Sequence, residues 1–215
     1  MKIIPFITAI FLAITSIAQP IEEEFSNALD EDGRTFLRFD TKSSFIANSQ
    51  VKLWGVQLGF DHNNVVKYGL GFHNLSSTIK QDFYVNTNGV TDTITTQLNF
   101  AYFSLFGEYV FYDTKRWEGS LPIQIGFGGT NFAGSLNDST YLFHEKFVMH
   151  YEASLTGHYR FLRYFAIGAG VGYRIMIINN KNLNMQLTNP LYTIKLKLFL
   201  GDLFKDTKAL FVNDD

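Results

Sequence analysis

No cysteine occurs among the 215 residues, which removes disulfide frameworks, thiol nucleophiles, thiolate metal sites and lipid attachment through an N-terminal cysteine. After the first eighteen residues there is also no apolar run of the length a membrane helix requires. Charge is sparse: 18% of residues carry it and the net value is −2, so composition offers no electrostatic footprint for nucleic acid. If this chain crosses a bilayer it does so with strands, because only helices and closed barrels satisfy their backbone groups in lipid.

What is plentiful is aromatic and apolar: 46% apolar residues, with 22 phenylalanines and 11 tyrosines spread along the chain. Lys2, the apolar run Ile3 to Ile14 and the small-x-small trio Ser16-Ile17-Ala18 read as a secretory signal peptide over 1–18, cut after Ala18. Residues 19–32 are acidic with no period of two and read as a solvated periplasmic segment.

The stretch from Lys146 to Met176 sets the pattern. Phe147, Met149, Tyr151, Ala153, Leu155 and Tyr159 alternate with His150, Glu152, Ser154, Thr156, His158 and Arg160. After a break at 160–163, Phe165, Ile167, Ala169, Val171, Tyr173 and Ile175 alternate with Gly168, Gly170, Gly172 and Arg174. A period of two predicts two strands joined by a tight turn. One face is greasy and nearly unbroken, while the other mixes charge with missing side chains. That second face makes a poor hydrophobic core but a good filling for a narrow barrel whose large apolar residues meet lipid.

The same alternation recurs from Gly33 onward and predicts eight strands: about 34–47, 51–60, 65–74, 98–111, 117–129, the two of the opening pattern, and 191 to about 204. Pro122 removes a ladder donor from the fifth and points to a bulge. Connections at 61–64, 112–116 and 160–163 are short, whereas 75–97, 131–145 and 179–189 are long and polar. Alternating short and long is what a barrel with periplasmic turns and external loops requires; the link Asn48 to Gln50 between the first two strands departs, being short where a long loop is expected. The first of the long loops holds Asn88-Gly89 between β-prone residues, which predicts a hairpin projecting beyond the bilayer.

The signal peptide, the eight alternating strands and the run Tyr192-Thr193-Ile194-Lys195-Leu196-Lys197-Leu198-Phe199-Leu200 resemble the outer-membrane β-barrel families, the small barrels of the OmpA and OmpX kind being closest in size. The resemblance implies an all-β, eight-stranded antiparallel up-and-down transmembrane β-barrel over 33–204, followed by a tail over 205–215. It also implies contact with outer-membrane lipids and lipopolysaccharide, and handling by the barrel-assembly machinery during insertion. Members of such families usually end on an aromatic residue; Phe204 has the lipid-facing parity for that role, and the tail after it is a departure.

Eight strands leave an interior that side chains fill. The inward set is Lys67, Glu108, Glu118, Gln124, His150, Glu152, His158, Arg160, Arg174, Lys195 and Lys197, with His73 beside them. Enclosed charges cost several kcal/mol each unless paired, by roughly the known desolvation penalty, so a ladder of salt bridges is expected. His150, Glu152, Ser154 and His158 include the residue types of a hydrolytic triad, but parity aims them into the barrel and away from lipid acyl chains. The histidine spacings match no metal site, and the glycine runs at 126–129 and 168–172 introduce no helix that would bind phosphate. Trp54, Trp117, Tyr109, Tyr112, Tyr159, Tyr164 and Tyr173 include several near the ends of predicted strands, where interface girdles sit; generic β-propensity is the competing explanation.

The expectation is a non-catalytic outer-membrane barrel of a Gram-negative envelope, without cofactor or metal, acting structurally or through an external partner at 75–97, 131–145 and 179–189. The competing functions are a small-solute or ion channel, a lipid A-modifying hydrolase, and a soluble lipocalin-like carrier.

Overall fold

The computed structural model of the chain describes residues 22–46, 49–87, 90–136, 139–178 and 187–203. The leader with its expected cut after Ala18, the Asn88-Gly89 dipeptide, most of the 179–189 connection, Phe204 and residues 205–215 lie outside the described residues. Among the described residues nine strands form: β1 (Arg34–Ile46), β2 (Ser49–His62), β3 (Val66–Leu75), β4 (Lys80–Thr87), β5 (Val90–Asp113), β6 (Trp117–Leu136), β7 (Ser139–Leu162), β8 (Phe165–Ile178) and β9 (Asn189–Leu198).

All pairings are antiparallel, in the order β3-β2-β1-β9-β8-β7-β6-β5-β4, and β3 also pairs with β5 from Val66↔Tyr109 to Asn74↔Ala101. That last ladder closes a ring of eight strands. Only β4 stands outside it, bonded to the first part of β5 from Lys80↔Gln97 to Thr87↔Val90. Closure leaves the eight ring strands no free edge at the level of the ring, as a span through lipid demands.

Three tight turns share one rim. Between β2 and β3, Val65 N–H donates to His62 C=O at 3.0 Å, and the central pair Asn63 and Asn64 both have positive φ, 53° and 55°. This is the type I′ geometry whose twist matches flanking strands, and asparagine tolerates it better than most residues. The β5–β6 turn is closed by Thr114 N–H donating to Trp117 C=O at 2.8 Å, and the β7–β8 turn lies beside it, Arg160 N–H donating to Arg116 C=O at 2.8 Å. The opposite rim carries the long hairpins.

The 131–145 stretch is a hairpin and not the polar loop that composition predicts. β6 and β7 stay paired from Phe132↔Phe143 to Leu136↔Ser139. Aromatic residues inside the polar stretch supply the reason: Phe83 of β4 stacks on Phe143 with ring centroids 4.6 Å apart and tilts against Phe132 at 5.4 Å. The register slips between Thr130 and Phe132, where His144 takes a positive φ of 53°. At Pro122 there is no bulge: the β6–β7 register is the same at Ser120↔Thr156 and Ile123↔Ala153 on either side of it.

Two termini of the ring also differ from expectation. β9 stops at Leu198 and residues 200–203 are helical, Leu203 N–H donating to Phe199 C=O at 3.2 Å, because Phe199 turns in to close the short-turn rim and is buried. Within the acidic segment, 22–29 form a helix that rests on the rim. Ala28 is buried, the Phe25 ring lies 5.2 Å from that of Tyr109, and the Tyr109 hydroxyl donates to Glu24 Oε2 at 2.9 Å. No helix among the described residues is long and apolar enough to cross a membrane, which says nothing of the strands.

Candidate functional site: the barrel interior

Side chains sort by parity as a transmembrane barrel needs. In β9, Tyr192, Ile194 and Leu196 are exposed while Thr193, Lys195 and Lys197 are buried; Ile194 is 64% accessible and Lys197 0%. Ile167 of β8 is exposed likewise, so no apolar centre of the lipocalin kind forms from this face. Trp117 is exposed at the short-turn rim with its ring 4.9 Å from that of Tyr159, and Trp54 is exposed toward the other end with its ring 6.0 Å from that of Phe72.

Inside, charges are arranged in layers. Nearest the short-turn rim, Glu118 takes Lys67 at 2.6 Å and Lys197 at 3.6 Å, while Asp61 lies 3.7 Å from Lys67 and 3.5 Å from Lys197. His158 Nδ1 sits 3.4 Å from Glu118. The aromatic floor of this layer is Phe36 and Phe199, whose rings lie 5.0 and 4.6 Å from the Lys197 ammonium, close enough for cation–π attraction.

In the middle, Arg38 Nη1 donates to Glu108 at 2.6 Å and Nε to Gln57 at 2.8 Å; Gln57 in turn donates to Gln124 at 3.3 Å. Lys195 donates to the Thr156 hydroxyl at 3.2 Å. Farther up, Glu152 receives Lys42 on Oε2 and Arg174 on Oε1, both at 2.6 Å, with His150 Nε2 3.4 Å away. The Tyr102 hydroxyl accepts from Lys42 at 3.3 Å and Arg174 at 3.4 Å, and donates to Glu152 at 3.4 Å. His73 and Asp40 pair at 3.2 Å alongside. Glu152 thus serves two bases at once, which is the compensation enclosed ions need.

Each enclosed histidine faces a glycine on the next strand: His73 opposite Gly55, His150 opposite Gly126, His158 opposite Gly168. A Cβ built on any of the three glycines would overlap the imidazole. These glycines are the space the rings occupy, and this is how a narrow ring admits large polar groups.

Above the charged layers the interior changes character. Val51, Leu53, Leu98, Phe100, Phe132, Val148 and Leu187 pack into one buried apolar cluster, with Leu75, Ile79, Phe83, Phe143 and Met176 against it. This plug fills the ring at the hairpin rim. An interior void below it, lined by Arg38, Lys42, Gln124, Lys195 and neighbours, has a volume of about 20 Å³, room for a water or two.

Of the residues the alternation points inward, Lys67, Glu108, Glu118, Gln124, His150, Glu152, His158, Arg174, Lys195 and Lys197 are buried and converge as described. Arg160 lies at the rim end of the same face, half-buried, its guanidinium 4.2 Å above the Phe199 ring in a mouth that Glu118 and His158 also line. Arg38, Asp40, Lys42, Asp61 and Tyr102 belong to the layers as well. Parity with Leu37 and Phe39 was the available signal for the first three.

Two chemical readings lose support. Among the described residues Ser154 makes no hydrogen bond to His150 or His158, whose rings are enclosed beneath the plug, so neither ring stands as a base beside that hydroxyl. Ligand atoms of Glu108, Glu118 and His158 lie within 4.8 Å of one another. Both carboxylates already hold a base at 2.6 Å. Among the described residues the interior holds six bases (Arg38, Lys42, Lys67, Arg174, Lys195, Lys197) against five acids (Asp40, Asp61, Glu108, Glu118, Glu152), so a divalent ion would deepen an existing positive excess.

No family model matches the chain, and no curated protein matches it. Solved structures do. Neisserial surface protein A is similar over 79% of this chain and 99% of its own, at 10% identity and a TM-score of 0.52. The N-terminal barrel domain of Pseudomonas aeruginosa OprF is 12% identical over 78% of this chain and 98% of its own, with a TM-score of 0.43. Ail of Yersinia pestis, solved with the heparin analogue sucrose octasulfate, is 13% identical over 77% and 96%, with a TM-score of 0.45. The likeness to the first is one of fold: an eight-stranded outer-membrane β-barrel.

Proposed function

We propose that this chain, folded as the small outer-membrane barrels are, is a non-catalytic envelope protein whose ring is a membrane anchor and whose long hairpins are the working surface. The observation that carries this reading is the inverted exposure: buried ion pairs in the ring below the apolar plug and a greasy exterior. Lipid is the solvent that makes such a surface stable.

The short-turn rim faces the periplasm in this reading, since bacterial barrels keep tight turns there. The β4–β5 and β6–β7 hairpins then stand outside the cell, where Tyr84 and Leu142 are exposed and available to a partner, beside lipopolysaccharide. Insertion would pass through the barrel-assembly machinery. A conducting role is disfavoured by the apolar plug and the filled layers below it.

The test is fractionation followed by electrophoresis with and without boiling, and planar-bilayer recording of the folded material. The expected result is an outer-membrane protein whose folded form migrates faster than the boiled form, with no reproducible single-channel steps. Uniform steps at low voltage would replace the anchor reading with a channel.

A further inference from the structure

Two hollows on the outer surface of the ring are lined by described residues. One hollow, about 450 Å³, lies over Gly59 and Gly69 between Leu58, Phe60, Tyr68, Leu70 and Leu105. The second, about 360 Å³, is bounded by Trp117, Tyr159, Ile167 and Ile194 over Gly157 and Ala169.

The second arises from a row of small outward residues. Gly119, Gly157 and Ala169 are successive cross-strand neighbours on β6, β7 and β8, and the row ends against Ile194 of β9. A Cβ on Gly157 would meet nothing within 4 Å. On the side toward the short-turn rim the hollow ends at the Trp117–Tyr159 ring pair, which forms a ledge.

Just beyond that ledge the β5–β6 and β7–β8 turns meet through the Arg160–Arg116 backbone bond. These adjacent turns carry Lys115, Arg116 and Arg163, all exposed, with half-buried Arg160 behind and Asp113 and Glu118 as the acids of the mouth that Arg116 lines. Lys115 and Arg116 form no ion pair among the described residues. The first hollow has the opposite setting: Tyr68 stacks on His62, which is bonded to Glu31 C=O, and the acidic helix 22–29 lies on that side. The two hollows are alike in apolar lining and differ in the charge at their open end.

We propose that the hollow over Gly157 and Ala169 seats one acyl chain of a net-anionic phospholipid from the leaflet at the short-turn rim, with Lys115, Arg116 and Arg163 holding its phosphate. The site is continuous with the lipid-facing band, and so it rests on the outer-membrane reading. Basic groups at a membrane surface attract anionic headgroups, aromatic ledges mark the level where headgroup meets chain, and a recess below the ledge gives one chain a place that annular lipid elsewhere lacks. The first hollow, facing acids, shows no such preference.

The experiment follows Trp117 directly. A Trp54→Phe variant, leaving Trp117 as the single indole, is folded into phosphatidylcholine vesicles that contain increasing fractions of phosphatidylglycerol with brominated chains, or of phosphatidylcholine brominated in the same way. Bromine quenches the indole on contact. The expected result is half-maximal quenching at a roughly tenfold lower fraction of the anionic lipid, a difference abolished in the Lys115→Gln, Arg116→Gln double variant. A Gly157→Leu variant, which fills the recess, is expected to weaken quenching by the anionic lipid. Coincident curves for the two lipids, or a Gly157→Leu curve that does not move, would overturn the site. A chain that inserts into no vesicle and shows no heat-modifiable band would overturn the outer-membrane reading and the site together, so the two failures are distinguishable.

Discussion

The lower and upper parts of the barrel interior fill the same ring in opposite ways. Toward the short-turn rim, bases and acids interlock around Glu118, Glu108 and Glu152; toward the hairpin rim, Leu53, Phe100, Phe132 and Val148 close the bore without a charge. The lower part is held by compensation, so removing one partner leaves another stranded. The upper part is held by volume, so what counts there is how many methylenes are lost. Both leave the outward face unchanged, which shows that a barrel in lipid constrains its exterior more tightly than its filling.

The comparison breaks first at Glu152. Glu152→Gln keeps the volume but leaves Lys42 and Arg174 enclosed without their countercharge. A loss of about 4 kcal/mol is expected, read as a lower urea midpoint for unfolding in vesicles. Indifference to this change would mean that the layers are not held by compensation. Next in size is Leu53→Ala in the plug, for which about 3 kcal/mol is expected from lost burial and the cavity left behind. Here the same urea titration should give a cost that does not change between low and high salt.

The smallest and sharpest contrast sets one glycine against another. Gly126→Ala would drive a methyl into the His150 ring, whereas Gly157→Ala adds a methyl to open space on the lipid side. Roughly 1–3 kcal/mol is expected for the first and within about 0.5 kcal/mol for the second. Equal costs would show that these strands suffer from losing glycine itself and not from crowding a ring.

Much of this was legible in the chain because the side-chain period of a strand is fixed at two. Once Leu196 and Ile167 are assigned to lipid, Lys195, Lys197 and His158 can only go inside. The alternation of short and long connections likewise located the rims. Three things escaped. The charges of β1 escaped because Lys42-Ser43-Ser44 is polar on both faces, so the parity that carries Arg38 and Asp40 inward fades where it is needed. Asp61 escaped because it sits in a run of turn-forming residues, although it is the last enclosed acid of β2 before the Asn63-Asn64 turn. The plug escaped for a different reason: Val51, Leu53 and Phe100 have inward parity but are apolar, and alternation alone cannot say that a barrel's filling changes from salt to oil along its axis. Phe132 and Phe143 were hidden in what composition marked as polar loop, and only their contact with Phe83 across the mouth makes them strand.

The ladder from Leu37↔Leu198 to Ser43↔Tyr192 joins the first strand of the ring to the last. That seam makes the cylinder's completion wait for β9: until it arrives, β1 and β8 are open borders, and Asp61 and Glu118 lack Lys197, one of the two ammonium groups that face them both. Pairings so distant along the chain are slow to form unaided. The half-built sheet is therefore a species with wet ions on its concave side and two unbonded edges, poorly suited to either water or lipid, and its lifetime sets how much help the chain needs to reach the bilayer.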